Sequence, residues 1–349
     1  MSARIDIDTG DVIEPAAVRL EGLSLASGMA GAYSLAEDGT LVYLAGETGG
    51  GGQYLAWLSP DGSTERISER EIHYETDTFP SPDGTRIAAE LQGDGETRIT
   101  IHIHEIERDI SAPLVPGSAS SFPVWSPNSQ HVAFFLDDGE ARGIYRAPID
   151  RSELPALLLA KPADAYVLPM DWSPDGSMLM YVLSSDLTRS QAALLTDLWI
   201  LPLDGAEPRP YLATDAREVD GRFSPDGRWI AYESDHAGAG HIYVRALEGG
   251  GEYQISADRA RSPEWNVRGD KLYFYSGPNL VEVDIDVSGA TPAVSTERAI
   301  IDMTTRFRDQ LFAPAPDGER FLVAEFASDD GTQRAIHAIF NWDFLRHWE

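Results

Sequence analysis

Cysteine is absent from the 349 residues, which excludes disulfides, thiolate metal sites and a cysteine nucleophile. No apolar run approaches the ~18 residues a membrane helix needs, and the opening MSARIDIDTGD lacks a signal-peptide core. As given, the chain reads as soluble and cytoplasmic; an extracytoplasmic location is expected if it is part of a longer protein. Basic residues are scarce, 27 Lys and Arg against 57 Asp and Glu, for a formal net charge of −30. Such an acidic surface repels phosphate backbones and anionic lipid, so neither nucleic acid nor a membrane is an expected partner, whereas cations or a basic surface are favoured. Helical pattern is scarce too: a turn at 190–195 and the tail at 342–348 read as helix. The glycine run GETGGGGQ at 46–53 precedes no helix and is therefore no phosphate loop.

What the chain has in abundance is one repeated turn. Ser224-Pro225-Asp226-Gly227 follows Phe223 and precedes the apolar run Trp229 to Tyr232. Proline presets φ, aspartate bonds its own backbone, and glycine accepts the left-handed conformation that closes a tight hairpin. The unit recurs at Ser81-Pro82-Asp83-Gly84, Ser126-Pro127-Asn128-Ser129 and Ser173-Pro174-Asp175-Gly176, with weaker copies at Asp38-Gly39, Arg268-Gly269 and Pro316-Asp317-Gly318. Successive copies lie 42 to 51 residues apart. A period in this range, with four short strands in each, is the signature of a β-propeller.

The expected architecture is a single all-β domain over 1–349, a propeller of four-stranded antiparallel blades. A ring of repeats grows without enlarging one core, so the length suits one domain. The inner hairpins count to seven blades, or six if the degenerate repeat near Asp38 or Arg268 is not a full blade. Strands at 32–35, 41–45, 54–58 and 65–67 are expected to form blade one. An N-terminal strand at 16–20 is expected to pair with the last blade, at 320–326 and 334–342, and close the ring. Trp125, Trp172, Phe223 and Trp265 share one repeat position and read as packing between blades. Blade four carries an insertion at 184–197, which on a repeat fold marks a candidate binding face.

These repeats resemble the TolB-type, WD40-like (PD40) propeller repeats, whose units carry the aromatic-Ser-Pro-Asp-Gly-basic-apolar pattern seen from Trp172 and from Phe223. The order of Leu41-Val42-Tyr43, Gly49-Gly50-Gly51, Tyr54-Leu55-Ala56-Trp57, Phe321-Leu322-Val323 and Phe340-Asn341-Trp342 is similar to the propeller that follows the kinase domain in bacterial serine/threonine kinases. It is also similar to the propellers of tricorn-type and prolyl-oligopeptidase-type peptidases. The resemblance implies a bacterial scaffold for protein interaction or ligand sensing. It carries no catalysis across, because the chain has no glycine-rich loop with its lysine, no HRD or DFG, and no G-x-S-x-G.

In a propeller the innermost strand of each blade lines the central channel. Counting back from the repeat turns brings Glu75, Asp77, Glu218, Asp220 and Asp309 to the axis, and a spacing of two puts both members of a pair on one face of a strand. His73, Tyr166, Arg261 and Arg308 occupy nearby inner positions. Glu75, Glu218, Asp220 and Asp309 are the candidate ligands for Ca²⁺, which takes about six to eight oxygens. Two functions follow. In one, the arginines neutralise the acids, no cofactor is needed, and the mouth binds a protein or small-molecule ligand. In the other, an axial divalent cation with His73 as base supports hydrolysis, a layout resembling propeller lactonases and esterases. His102 and His104 share a strand face as well, but away from the axis.

Overall fold

The structure is a computed structural model that describes residues 2–5, 12–17, 33–35, 41–45, 52–72, 74–92, 98–139, 141–184, 195–303, 307–327 and 335–339. Within 52–327 it describes side chains as well, apart from those at 75–77, 141 and 308–311. The helical readings at 190–195 and 342–348 lie outside the described residues. Two compact units emerge, Met1–Gly52 with Phe326–Glu349, and Gln53–Glu325.

In chain order, β1 (Ser2–Ile5) pairs with β2 (Val12–Ala17), and β3 (Tyr33–Leu35) pairs with β4 (Leu41–Ala45). The second unit begins with β5 (Gln53–Leu58) and β6 (Thr64–Arg66). Four complete blades follow, each a meander of neighbouring antiparallel strands. Blade 1 is β7 (Tyr74–Pro80), β8 (Arg86–Gln92), β9 (Ile99–Glu105) and β10 (Ile110–Pro113). Blade 2 is β11 (Ala119–Trp125), β12 (His131–Asp138), β13 (Ala141–Pro148) and β14 (Ala156–Ala160). Blade 3 is β15 (Tyr166–Trp172), β16 (Met178–Ser184), β17 (Thr196–Pro202) and β18 (Arg209–Leu212). Blade 4 is β19 (Glu218–Phe223), β20 (Trp229–Ser234), β21 (His241–Ala246) and β22 (Glu252–Gln254). Blade 5 is β23 (Ala260–Trp265), β24 (Lys271–Ser276), β25 (Asn279–Asp286) and, after the short β26 (Ala293–Val294), β27 (Arg298–Asp302). Blade 6 joins both ends of the unit: β28 (Phe307–Pro314) and β29 (Phe321–Phe326) are inner, and β5 and β6 are outer. Finally β30 (Ala335–Ile339) pairs with β4.

The preferred count of seven blades is therefore corrected to the alternative, six. The strands near Asp38 do not open a blade with 54–58 and 65–67; those two strands complete blade 6 instead. The expected closing strand at 16–20 is also corrected, because Ala17 pairs with Ser2 and closure falls to β5 against β29. The physical demand was read correctly and given to the wrong strand: β29 needs a partner for its edge, and a strand from the other end of the unit supplies it.

Second strands read as unbroken apolar runs because both faces are covered by neighbouring blades. Trp229 to Ser234 is buried throughout, as are Ile87 to Leu91 and Leu322 to Ala324. The core is consequently a series of layers between blades: Trp229, Ala231, Ile242 and Val244 of blade 4 meet Trp265, Leu272 and Phe274 of blade 5. The repeat aromatics tie these layers together. Trp125 Nε1 donates to Phe79 O at 3.0 Å and Trp265 Nε1 to Arg222 O at 3.2 Å, each reaching the inner strand of another blade.

The repeated turn works through its side chains. Ser224 Oγ donates to Asp226 Oδ1 at 2.6 Å and accepts from Trp229 N at 3.0 Å, while Gly227 holds φ 70°. Blade 2 has Ser129 at the glycine place with φ 59°. Its hydroxyl accepts from Asp83 N at 3.0 Å, a link to the turn of blade 1 that glycine could not make.

Candidate functional site

Each inner strand breaks register with its neighbour before the repeat aromatic, as between Ser121 and Val124, Val219 and Arg222, and Arg261 and Glu264. Phe122, Asp220 and Ser262 take φ of 57°, 53° and 54° at these bulges. A bulge re-aims the side chains on either side of it. Glu218 and Asp220 accordingly do not act as the one-faced pair that regular alternation predicts. Glu218 turns to Thr214, whose Oγ1 donates to its Oε1, whereas Asp220 Oδ2 accepts from Ser262 Oγ of blade 5 at 3.4 Å.

Register also defines the mouth. Glu218 pairs with Ser234 and Tyr166 with Ser184, so the segments 213–217 and 235–240 and the ends flanking 185–194 share one face of the ring. The Ser-Pro-Asp-Gly turns lie at the opposite ends of the same strands. Glu218 is 1% exposed, and burial, reinforced by the Asp197 and Asp235 charges, pushes its carboxyl up to about 7. Its Oε2 has no hydrogen-bond partner among the described residues. Beside it, Arg217 Nη1 lies 2.8 Å from Glu233 Oε1, and burial raises the Glu233 carboxyl with Asp220 adding to the effect. Thr214, Asp215, Ala216, Asp235, His236 and Gly238 line an open depression of about 390 Å³.

Deeper along the same strands, a half-buried ionic chain crosses three blades. Arg222 Nε donates to Glu264 Oε1 at 2.7 Å and its Nη1 to Met170 O at 2.6 Å. Asp171 Oδ2 accepts from Phe223 N at 2.7 Å and its Oδ1 from Trp172 N at 2.8 Å. Burial pushes Asp171 up to about 7 against the pull of Arg222, and raises Glu264 likewise. Burial would lower the Arg222 guanidinium, but Glu264 and then Asp171 hold it above its ordinary range. The inner strands contact one another in a closed circuit β7, β11, β15, β19, β23, β28, so blades 1 and 4 stand opposite. Arg222 Cζ nevertheless lies 5.5 Å from the ring centre of Phe79 on blade 1. At this level Arg222 reaches across the axis to the opposite blade.

Of the other residues singled out by sequence, His73 lies outside the described residues, and Glu75, Asp77, Arg308 and Asp309 are placed on β7 and β28 by backbone alone. Tyr166 is exposed, with Lys161 Nζ 5.3 Å from its ring centre. Arg261 Cζ sits 4.7 Å over the Tyr275 ring. His104 is buried 3.8 Å from Asp109, and burial lowers both His102 and His104. Among the described residues, no group of three or more His, Asp or Glu side chains is arranged to hold a metal ion. Sequence reasoning missed Asp171, Arg222 and Glu264. Their signal was present: an acid, a base and an acid occupy the place just before the repeat aromatic in three successive blades.

A search with family models finds no match. A TolB structure from Agrobacterium tumefaciens superposes with a TM-score of 0.59 at 18% identity, over 80% of this chain and all of that one. The fold is a TolB-like propeller. TolB from Acinetobacter baumannii gives 0.50 at 13% identity, over 81% of this chain and 65% of that chain. An oligogalacturonate lyase in complex with manganese gives 0.51 at 11%, over 84% of this chain and 95% of the lyase. In sequence, an uncharacterised peptidase, YuxL of Bacillus subtilis, is 28% identical over 104 residues, 29% of this chain and 16% of YuxL. This chain therefore matches a small part of that curated relative. At such identities the likeness fixes fold and leaves chemistry to the site.

Proposed function

We propose that the chain is a non-catalytic propeller that binds a protein or small-molecule ligand at the mouth around Glu218, Asp220 and the segments 213–217 and 235–240. The observation that carries this reading is the pairing of arginines with acids around the mouth and the axis, Arg217 with Glu233 of β20 and Arg222 with Glu264 of β23, together with the reach of Arg222 across the axis to Phe79. Acids neutralised in this way build a recess with a fixed shape and leave fewer oxygens for a catalytic cation. The net charge of −30 favours a basic partner over nucleic acid or anionic lipid. Among the described residues no helix is long and apolar enough to cross a membrane.

A hydrolase with an axial divalent cation on Glu75, Glu218, Asp220 and Asp309 is the second reading. It is kept by Glu218, a buried carboxylate with one oxygen unengaged among the described residues. A photo-crosslinking residue at Asp235, on the mouth, and another at Asp226, on the turn face, separate the readings in extracts of the source organism. Discrete adducts from Asp235 and none from Asp226 are expected. Equal labelling from both faces overturns the binding mouth. Hydrolysis of model lactones or esters that is abolished by Glu218→Gln establishes the enzyme.

A further inference from the structure

We propose that the outer hairpin of blade 2 docks a second copy of this chain, β14 of one molecule lying antiparallel beside β14 of the other. The contact is separate from the mouth and does not rest on the binding reading above.

The edge is held in place and bare. Gly143 lets β14 sit close on β13, since a Cβ there would stand 2.2 Å from Leu159 O. Leu158 and Leu159 pack into the layer between blades 2 and 3, whereas Leu157 is 52% exposed and Leu154, in the connection before it, 89%. Lys161 N donates to Arg142 O at 2.9 Å, so alternation turns the Ala160 amide and carbonyl outward, away from β13. The other outer strands are guarded: β6, β18, β22 and β27 each contain a charged residue and β10 ends in Pro113, but 156–160 has neither charge nor proline. An unguarded edge is a template for another strand. Among the described outer strands it is the one such edge, so pairing with its own copy uses it up and the assembly closes at two.

Charge selects the second copy. Residues 141–162 hold four basic side chains, Arg142, Arg146, Arg151 and Lys161, against two acids, Asp150 and Glu153, in a chain of −30. At this hairpin an equally acidic molecule meets attraction in place of repulsion. The ends are self-complementary. His131 pairs with Pro148 and Ala160 with Gly143, so Glu153 lies at the turn-face end of β14 and Lys161 at the mouth end. Antiparallel pairing about a two-fold axis brings Glu153 of each copy to the Lys161 end of the other. Lys161 Nζ rests 3.1 Å from Pro162 O, and neither residue has a partner of opposite charge among the described residues. Pro155, Pro162 and the register shift opposite Ile144 and Tyr145 keep the ladder short, which places the contact among small interfaces, below about 1,200 Å². Because β14 runs from turn face to mouth, the pair points its two mouths in opposite directions.

The test is sedimentation velocity of the full chain at about 150 mM salt, where long-range repulsion is screened. The mean mass is expected to rise toward that of two chains between about 5 and about 500 µM. Leu157→Lys should keep the chain single over that range with an unchanged unfolding midpoint. Glu153→Lys and Lys161→Glu, each alone, should weaken association roughly threefold or more, because like charges then meet at both ends. Mixing the two variants should restore it, since every lysine again faces a glutamate. A single-chain mass at every concentration, association that survives Leu157→Lys, or variants that fail to recover on mixing overturns the proposal. A photo-crosslinking residue at Ser152 separates the occupants: an adduct of two chains from purified protein is expected. An adduct in extracts to a different protein alone, lost in Leu157→Lys, gives the edge to that protein and overturns the second copy.

Discussion

Arg222 is the residue on which the axis depends. It faces Glu264, Asp171 and Asp220, and removing it would leave half-buried acids without their counter-charge. Arg222→Met is expected to cost about 3 to 5 kcal/mol, read as a lower urea midpoint at pH 7.5, with part of the loss recovered at pH 5.5 as the acids protonate. Glu218 predicts a different pH effect. Its carboxyl rises from an ordinary 4.5 to about 7, so the folded state retains a proton that the unfolded chain has already released. Stability contributed by the protonated form is present below pH 4.5 and declines as pH rises toward 7, by on the order of 3 kcal/mol. Glu218→Gln should flatten that slope and raise stability at pH 8, as followed by thermal unfolding across pH. At this scale the sequence was half legible. Counting back from the turns reached Glu218 and Asp220, but two-residue alternation put them together, and nothing in the residue types announces a bulge that sends Asp220 to φ 53°.

Among elements, the Ser-Pro-Asp-Gly turn is the most legible, because each residue's chemistry is local and needs no knowledge of the ring. Gly227→Ala forces an alanine to φ 70° and is expected to cost about 1 to 2 kcal/mol in chemical denaturation. Ser129 shows where local reading stops, since its hydroxyl serves the turn of blade 1 across 46 residues of chain. The outer strands were expected from the four-strand period, but only 65–67 was placed, and their exposure was not legible. β6, β18, β22 and β27 each carry a charge, and β10 ends in proline, but β14 is Ala-Leu-Leu-Leu-Ala with Leu157 exposed and Leu154 beyond it 89% exposed. An apolar, uncharged edge invites strand pairing. Leu157→Lys is expected to reduce aggregation on heating, measured by light scattering, with little change in unfolding midpoint.

For the molecule as a whole, the period in the forties revealed a propeller, while blade number escaped it. The copy near Asp38 was already degenerate, but so was the one near Arg268, and pairing tells them apart: β4 pairs with β30, whereas 260–265 and 271–276 open a full blade. Which strand closes a ring is decided by pairing between distant segments, and such pairing leaves no mark in local pattern. The unit Gln53–Glu325 contains all six blades, so residues 53–327 expressed alone should unfold in one cooperative transition, and removing 53–67 should abolish it by baring β29. The charge of −30 adds a global term: raising salt from 20 to 300 mM should increase the thermal midpoint, in proportion to the self-repulsion it screens. Blade 6 also imposes an order in time. Thr64 Oγ1 bonds Glu325 Oε2 at 3.2 Å across 261 residues of sequence, a contact of very high order. On a ribosome, β5 and β6 emerge ahead of the other strands of this unit, and the edge of β5 must wait for β29, so nascent chains pass through synthesis as an open arc with bare edges, the state in which this protein most needs a chaperone.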